Sequence, residues 1–193
     1  LYYKTKDIRY LDFSEWLLNQ RGKGLGTWDS PDYYQDLLPV KQQRKISGHA
    51  VRAMYMFTAM ADVAAAKNDK EYMIALDSLW HDVVDKNMYL TGGIGSSAKN
   101  EGFTEDYDLP NDLAYCETCA SVGMVLWNNR MNLMTCDAKY VDVLERSMYN
   151  GVLAGVSLSG DRFFYVNPLE TDGTHHRKAW YRTACCPSQI SRF

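Results

Sequence analysis

Two cysteine-bearing stretches constrain this chain more than any other feature. Tyr115-Cys116-Glu117-Thr118-Cys119 and Ala184-Cys185-Cys186-Pro187 hold four of the five cysteines and set a carboxylate between two thiols. Thiolate sulfur and carboxylate oxygen are zinc ligands, and four such groups fill a tetrahedral shell. Glu117, Cys119, Cys185 and Cys186 are therefore the expected ligands of one zinc ion, Zn2+. A fold that obeys this must bring two segments far apart in the chain to one point. A zinc-bound sulfur is deprotonated near neutral pH, so Cys185 is also a candidate nucleophile.

Spacing alone leaves other readings open. Cys116-x-x-Cys119 is one half of a common structural zinc pattern, but its partner here is a vicinal Cys-Cys pair. Buried thiols that merely fill a core fit the same residues. So does a strained vicinal disulfide. Pro187 favours an extended Cys186 and argues against helix at that point. On a regular helix, residues two apart diverge by about 200°. Glu117 and Cys119 can share a metal only if the helix starts near Thr118.

Composition narrows the classes. The 193 residues, 46% of them apolar and without a long polar linker, suit one domain or part of a larger one. A net charge of -3 gives no support for nucleic-acid binding. No apolar run approaches the roughly 20 residues that span a bilayer, so no membrane partner is expected. An odd number of cysteines disfavours a disulfide framework, which points to a reducing, cytoplasmic setting. The chain opens Leu1-Tyr2-Tyr3 without Met or a signal pattern, so the expectation is a fragment whose true N-terminus is missing.

Taken in order, Asp7 to Arg21 reads as a helix with Ile8, Leu11, Trp16 and Leu18 as its apolar stripe. Gly22 to Val40 is a loop whose Trp28, Tyr33 and Tyr34 either border a site or cover a core edge. Ser47 is the expected N-cap of a helix to about Lys67, and Asp69 starts a second helix to about Asp85. Two such antiparallel helices form the hairpin from which helical toroids are built. Met88 to Asn111 is a long glycine-containing loop, made acidic by Glu101, Glu105, Asp106 and Asp108. Further helices are expected over about Thr118 to Asn129 and Asp137 to Gly155, the latter with Tyr140, Val141, Leu144, Met148 and Val152 inward. A short strand is expected near 163–169. His175 and His176 read as surface residues, and Cys136 matches no ligand position.

Six motifs run in order from Gly48: Gly48-His49-Ala50-Val51-Arg52-Ala53, Thr91-Gly92-Gly93-Ile94-Gly95, Glu101-Gly102-Phe103, Asp108-Leu109-Pro110-Asn111-Asp112, Tyr115-Cys116-Glu117-Thr118-Cys119 and Cys185-Cys186-Pro187. Together they resemble glycoside hydrolase family 127, the bacterial β-L-arabinofuranosidases. The resemblance implies a mainly α fold that is part of an (α/α)6 barrel, with residues 1–193 a partial catalytic domain. N-terminal barrel helices and C-terminal β-sandwich domains would lie outside this chain. It implies a retaining hydrolase that releases β-L-arabinofuranose, with Cys185 as nucleophile, Glu101 as acid/base and His49 lining the substrate pocket. A carbohydrate substrate is the implied partner, and homo-oligomerisation of the full-length protein stays open. The alternatives are a non-catalytic zinc-stapled or sugar-binding domain, or a hydrolase of the same class acting on another glycoside.

Overall fold

A computed structural model describes residues 1–24, 30–183 and 185–192. Trp28 and Ala184 lie outside these. The described chain is mainly helical, and its helices pair into hairpins that fit a segment of a helical toroid. After a single turn, α1 (Tyr2–Thr5), comes α2 (Ile8–Leu18), capped by Asp7 accepting from the Arg9 amide. Leu11 and Leu18 face the core, whereas Ile8 and Trp16 of the expected stripe are exposed.

The helix α3 (Ala50–Lys67) starts two residues later than Ser47 predicts, and its cap is His49. The cause is backbone pairing from the long loop. The Ala50 amide donates to the Glu101 carbonyl at 3.1 Å, and His49 bridges Gly102. Those contacts hold residues 47–49 out of the helix. Asn68, in the left-handed conformation, turns the chain into α4 (Lys70–Lys86), capped by Asp69. Tyr72, Leu76, Leu79 and Val83 form the buried face of α4, as their spacing predicts.

Between α4 and the next helix, the 88–111 loop is braced by isolated bridges, Met88 to Ile94 and Ser97 to Gly102. The helix α5 (Thr118–Thr135) begins where metal sharing between Glu117 and Cys119 requires. Residues Thr118 to Val125 are all buried, because α5 packs against α3 on one side and α6 (Ala138–Ser147) on the other. A helix covered on all sides carries little amphipathic signal.

Four expectations are corrected here. The helix from Asp137 does not run regularly to Gly155: after Ser147 it opens into a π turn over Met148–Val152 and tightens into a 3-10 turn over Leu153–Gly155. Close approach explains this, since a Cβ on Gly151 would lie 2.2 Å from Ser121 Oγ. Val141 is 40% exposed and Val143 is buried instead, because the inward face of α6 is Tyr140, Val143 and Ser147. The 163–169 run is not a regular strand but a set of single bridges, Phe163 to Val156 and Lys178, and Val166 to Glu117. Finally, Pro187 does not exclude helix, because α7 (Cys185–Ile190) places it in the first turn, where its missing N–H is not needed.

Candidate metal centre and active site

The two cysteine stretches meet. Cys116 adopts a left-handed φ of 39°, which swings the chain into the start of α5. Glu117 follows as N-cap, with extended backbone and no capping bond from its own side chain. Its carboxylate is thereby free to turn to the side on which Cys119 projects. From the other segment, Cys185 and Cys186 open α7. The ligand atoms of Glu117, Cys119, Cys185 and Cys186 all lie within 4.8 Å of one another. Cys119 and Cys186 Sγ are 3.6 Å apart, Cys185 and Cys186 Sγ 3.8 Å, and Cys185 Sγ to Glu117 Oε1 3.5 Å. All five cysteines are free, so the vicinal pair is not a disulfide.

The electrostatics of the cluster ask for a cation. Glu117 is 2% exposed, and its Oε2 has no hydrogen-bond partner among the described residues. Burial pushes its carboxyl up to about 8. Hydrogen bonds from Cys119 and then Cys186 hold the Cys185 thiol well below the usual cysteine range, while Cys119 itself is pushed up. Cys185 is also the most accessible of the three sulfurs. A buried carboxylate beside a thiolate is unfavourable without a positive partner. The donor set can therefore hold a metal ion.

Glu101 stands at the edge of this cluster. It too has a left-handed φ, 51°, and its carbonyl holds the start of α3. The side chain is 38% exposed. Its Oε2 accepts a hydrogen bond from the Tyr115 hydroxyl at 3.0 Å and lies 3.6 Å from His49 Nε2. His49, Glu101 and Glu117 offer ligand atoms within 4.8 Å of one another, so the half-exposed carboxylate adjoins the buried one. His49 Nδ1 accepts from the Val51 amide, which leaves the ring proton on Nε2, facing Glu101. Burial lowers the His49 pKa, partly offset by Glu101. A neutral imidazole donor results.

The remaining candidates sort themselves by contact. Tyr33 presents its edge to His49 at 5.5 Å, and Arg52 sits over both the Tyr33 and Tyr34 rings. Other acids of the loop pair with lysines instead, Glu105 and Asp106 facing Lys45, and Asp106 also Lys86. His175 stacks on Phe164 and pairs with the Val166 carbonyl, away from the cluster, and Cys136 is an exposed helix C-cap. Sequence reasoning missed Tyr115 and Tyr165. Tyr115 binds Glu101, and the Tyr165 hydroxyl pairs with Cys185 and Thr183. Tyr115 opens one of the six motifs and Tyr165 lies in the β-rich run, but neither carried a signal for a role at the site.

Comparison with known proteins identifies the family. A family model described as beta-L-arabinofuranosidase, GH127 catalytic domain, matches residues 1–193. A curated non-reducing end beta-L-arabinofuranosidase of Bifidobacterium longum subsp. longum is 38% identical over 222 aligned residues, covering 100% of this chain and 34% of that protein. A solved GH127 beta-arabinofuranosidase superposes with a TM-score of 0.95 at 49% identity, covering 100% of this chain and 30% of that one. A GH127 beta-L-arabinofuranosidase from Geobacillus stearothermophilus T6 gives 0.93 at 42%, over 100% and 34%. The chain thus spans about a third of the length of these relatives. With its whole length matched by the family model, the chain belongs to the GH127 β-L-arabinofuranosidase catalytic-domain family.

Proposed function

We propose that this chain carries the catalytic centre of a retaining glycoside hydrolase that releases β-L-arabinofuranose from arabinosides. The observation that carries the reading is the adjacency of Glu101 to a cluster of three thiols and a buried carboxylate. The substrate class follows that of the relatives, which are named β-L-arabinofuranosidases. Zinc is the metal the donor set fits best. Zn–S bonds of about 2.3 Å on a tetrahedron put sulfurs about 3.8 Å apart, against the 3.6 and 3.8 Å found between the cysteines. When bound, zinc would keep the thiols deprotonated and balance the buried carboxylate.

The residues of the chain then divide the chemistry. Glu101, protonated, gives its proton to the leaving glycosidic oxygen. The Cys185 thiolate attacks the anomeric carbon as the carbon–oxygen bond breaks, and a sugar–sulfur bond forms. In the second half, Glu101 takes a proton from water, the water oxygen bonds to the anomeric carbon, and the sulfur leaves as thiolate. His49 Nε2–H would donate to a sugar hydroxyl or ring oxygen. Glu117 is held by its burial and by the metal role, which leaves the attack to sulfur.

The test uses the full-length protein with zinc bound. Release of arabinose from a nitrophenyl β-L-arabinofuranoside is expected, and a trapped covalent sugar should map by mass to the Cys185 peptide. An adduct on Glu117 would overturn the nucleophile assignment. Absence of turnover by zinc-loaded protein would overturn the substrate assignment.

A further inference from the structure

The turn that aims Glu117 is held by residues outside the catalytic set. Cys116 occupies a left-handed conformation that a side-chain-bearing residue rarely adopts. Such a conformation persists only where its surroundings over-determine it. Here the surroundings are Gly95, whose carbonyl accepts from the Cys116 amide at 2.9 Å, and the 163–167 segment. The Asn167 side-chain amide donates to the Cys116 carbonyl at 2.8 Å and to Thr118 Oγ1 at 3.0 Å. Thr118 Oγ1 in turn donates to the Phe164 carbonyl at 2.8 Å. Backbone bonds complete the bracket, from the Asn167 amide to the Tyr115 carbonyl and from the Thr118 amide to the Tyr165 carbonyl. Both protons of the Asn167 amide are used, and the fully buried Thr118 hydroxyl both gives and accepts. Glu117 sits inside this bracket, anchored on either side, while its own side chain points to the sulfurs.

We propose that Asn167, acting through Thr118 and the Cys116 carbonyl, is a positioning residue that holds Glu117 and Cys119 in register for one metal ion. This rests on the metal-centre reading above, and it assigns a task to a segment for which sequence spacing suggests nothing but a strand. A regular strand would pair only through backbone. The side-chain clamp is what a left-handed turn needs, because the Cys116 carbonyl it flips outward would otherwise lack a partner.

The experiment is metal binding by the full-length protein, read in two ways. Zinc affinity is measured against a chromophoric chelator, and cobalt(II) substitution reports ligand geometry through its visible bands. Asn167→Asp sets two acceptors face to face, and Thr118→Val removes the hydroxyl without changing shape. Both are expected to weaken zinc binding by about ten-fold or more and to alter the cobalt bands, with the metal-free far-UV spectrum unchanged. Thr118→Ser keeps the hydroxyl and should retain wild-type affinity. If Asn167→Asp fails to fold, the Val/Ser pair at 118 decides. Wild-type affinity and spectrum in Asn167→Asp and Thr118→Val would overturn the clamp alone. A wild-type protein that shows no sulfur-to-cobalt band would overturn the metal-centre reading and the clamp with it.

Discussion

Glu117 and Glu101 are neighbouring carboxylates in different surroundings, and the difference has a measurable consequence. Glu117 is buried, and burial raises its pKa from the usual 4.5 to about 8. A group raised on folding contributes stability that is full below its unfolded value and lost as pH rises through its folded value. Metal-free protein is therefore expected to lose stability from about pH 4.5 to about 8 through this residue. A cation beside the carboxylate would remove the effect. Thermal melts of chelator-treated full-length protein, wild type against Glu117→Gln, check this. The advantage of wild type should shrink steadily with rising pH, and a difference that is flat with pH would contradict it. At this scale the sequence was informative only where motifs stood out. The ligand set could be picked from thiols and a carboxylate, but the Tyr115 hydroxyl on Glu101 depends on a loop returning to the site, which no local spacing encodes.

Among the elements, α3 and α5 decide the site, since His49 starts one and Glu117 starts the other. Their approach depends on Gly123, where an added Cβ would lie 2.6 Å from the Met54 Cβ. Gly123→Ala is expected to force the two helices apart and destabilise the protein by about 1–3 kcal/mol, seen as a lower melting temperature. The unwelcome methyl outweighs the better helix propensity of alanine because Met54 is fully buried and cannot move aside. Helix existence was legible from periodicity and capping residues, as Asp7 and Asp69 illustrate. Helix ends were less so. His49 displaced Ser47 as cap because a distant carbonyl claimed the first amide of α3, and α6 changed to a π turn because Gly151 meets Ser121.

Across the whole molecule, the apolar surface is uneven. A groove of about 360 Å³ lies between α1, α2 and α3, lined by Tyr2, Tyr10, Leu11, Leu17 and Val63 among others, away from the thiol cluster. Phe13 and Trp16 stack in the open beside it. Exposed apolar surface of this kind drives association. These 193 residues by themselves are expected to self-associate, or else to stay monomeric and bind a hydrophobic dye. Size-exclusion chromatography with light scattering distinguishes the two. The sequence by itself determined the donor set, the helical hairpins and the family, because those rest on residue type, short-range periodicity and motif order. Only the tertiary structure decided that Cys119 and Cys186 lie within contact distance, that Glu101 adjoins Glu117 while Glu105 and Asp106 face lysines, and that Asn167 grips the Glu117 turn. Each of these depends on contacts between segments far apart in the chain, where the choice among partners is made by packing and by the need to satisfy buried polar groups.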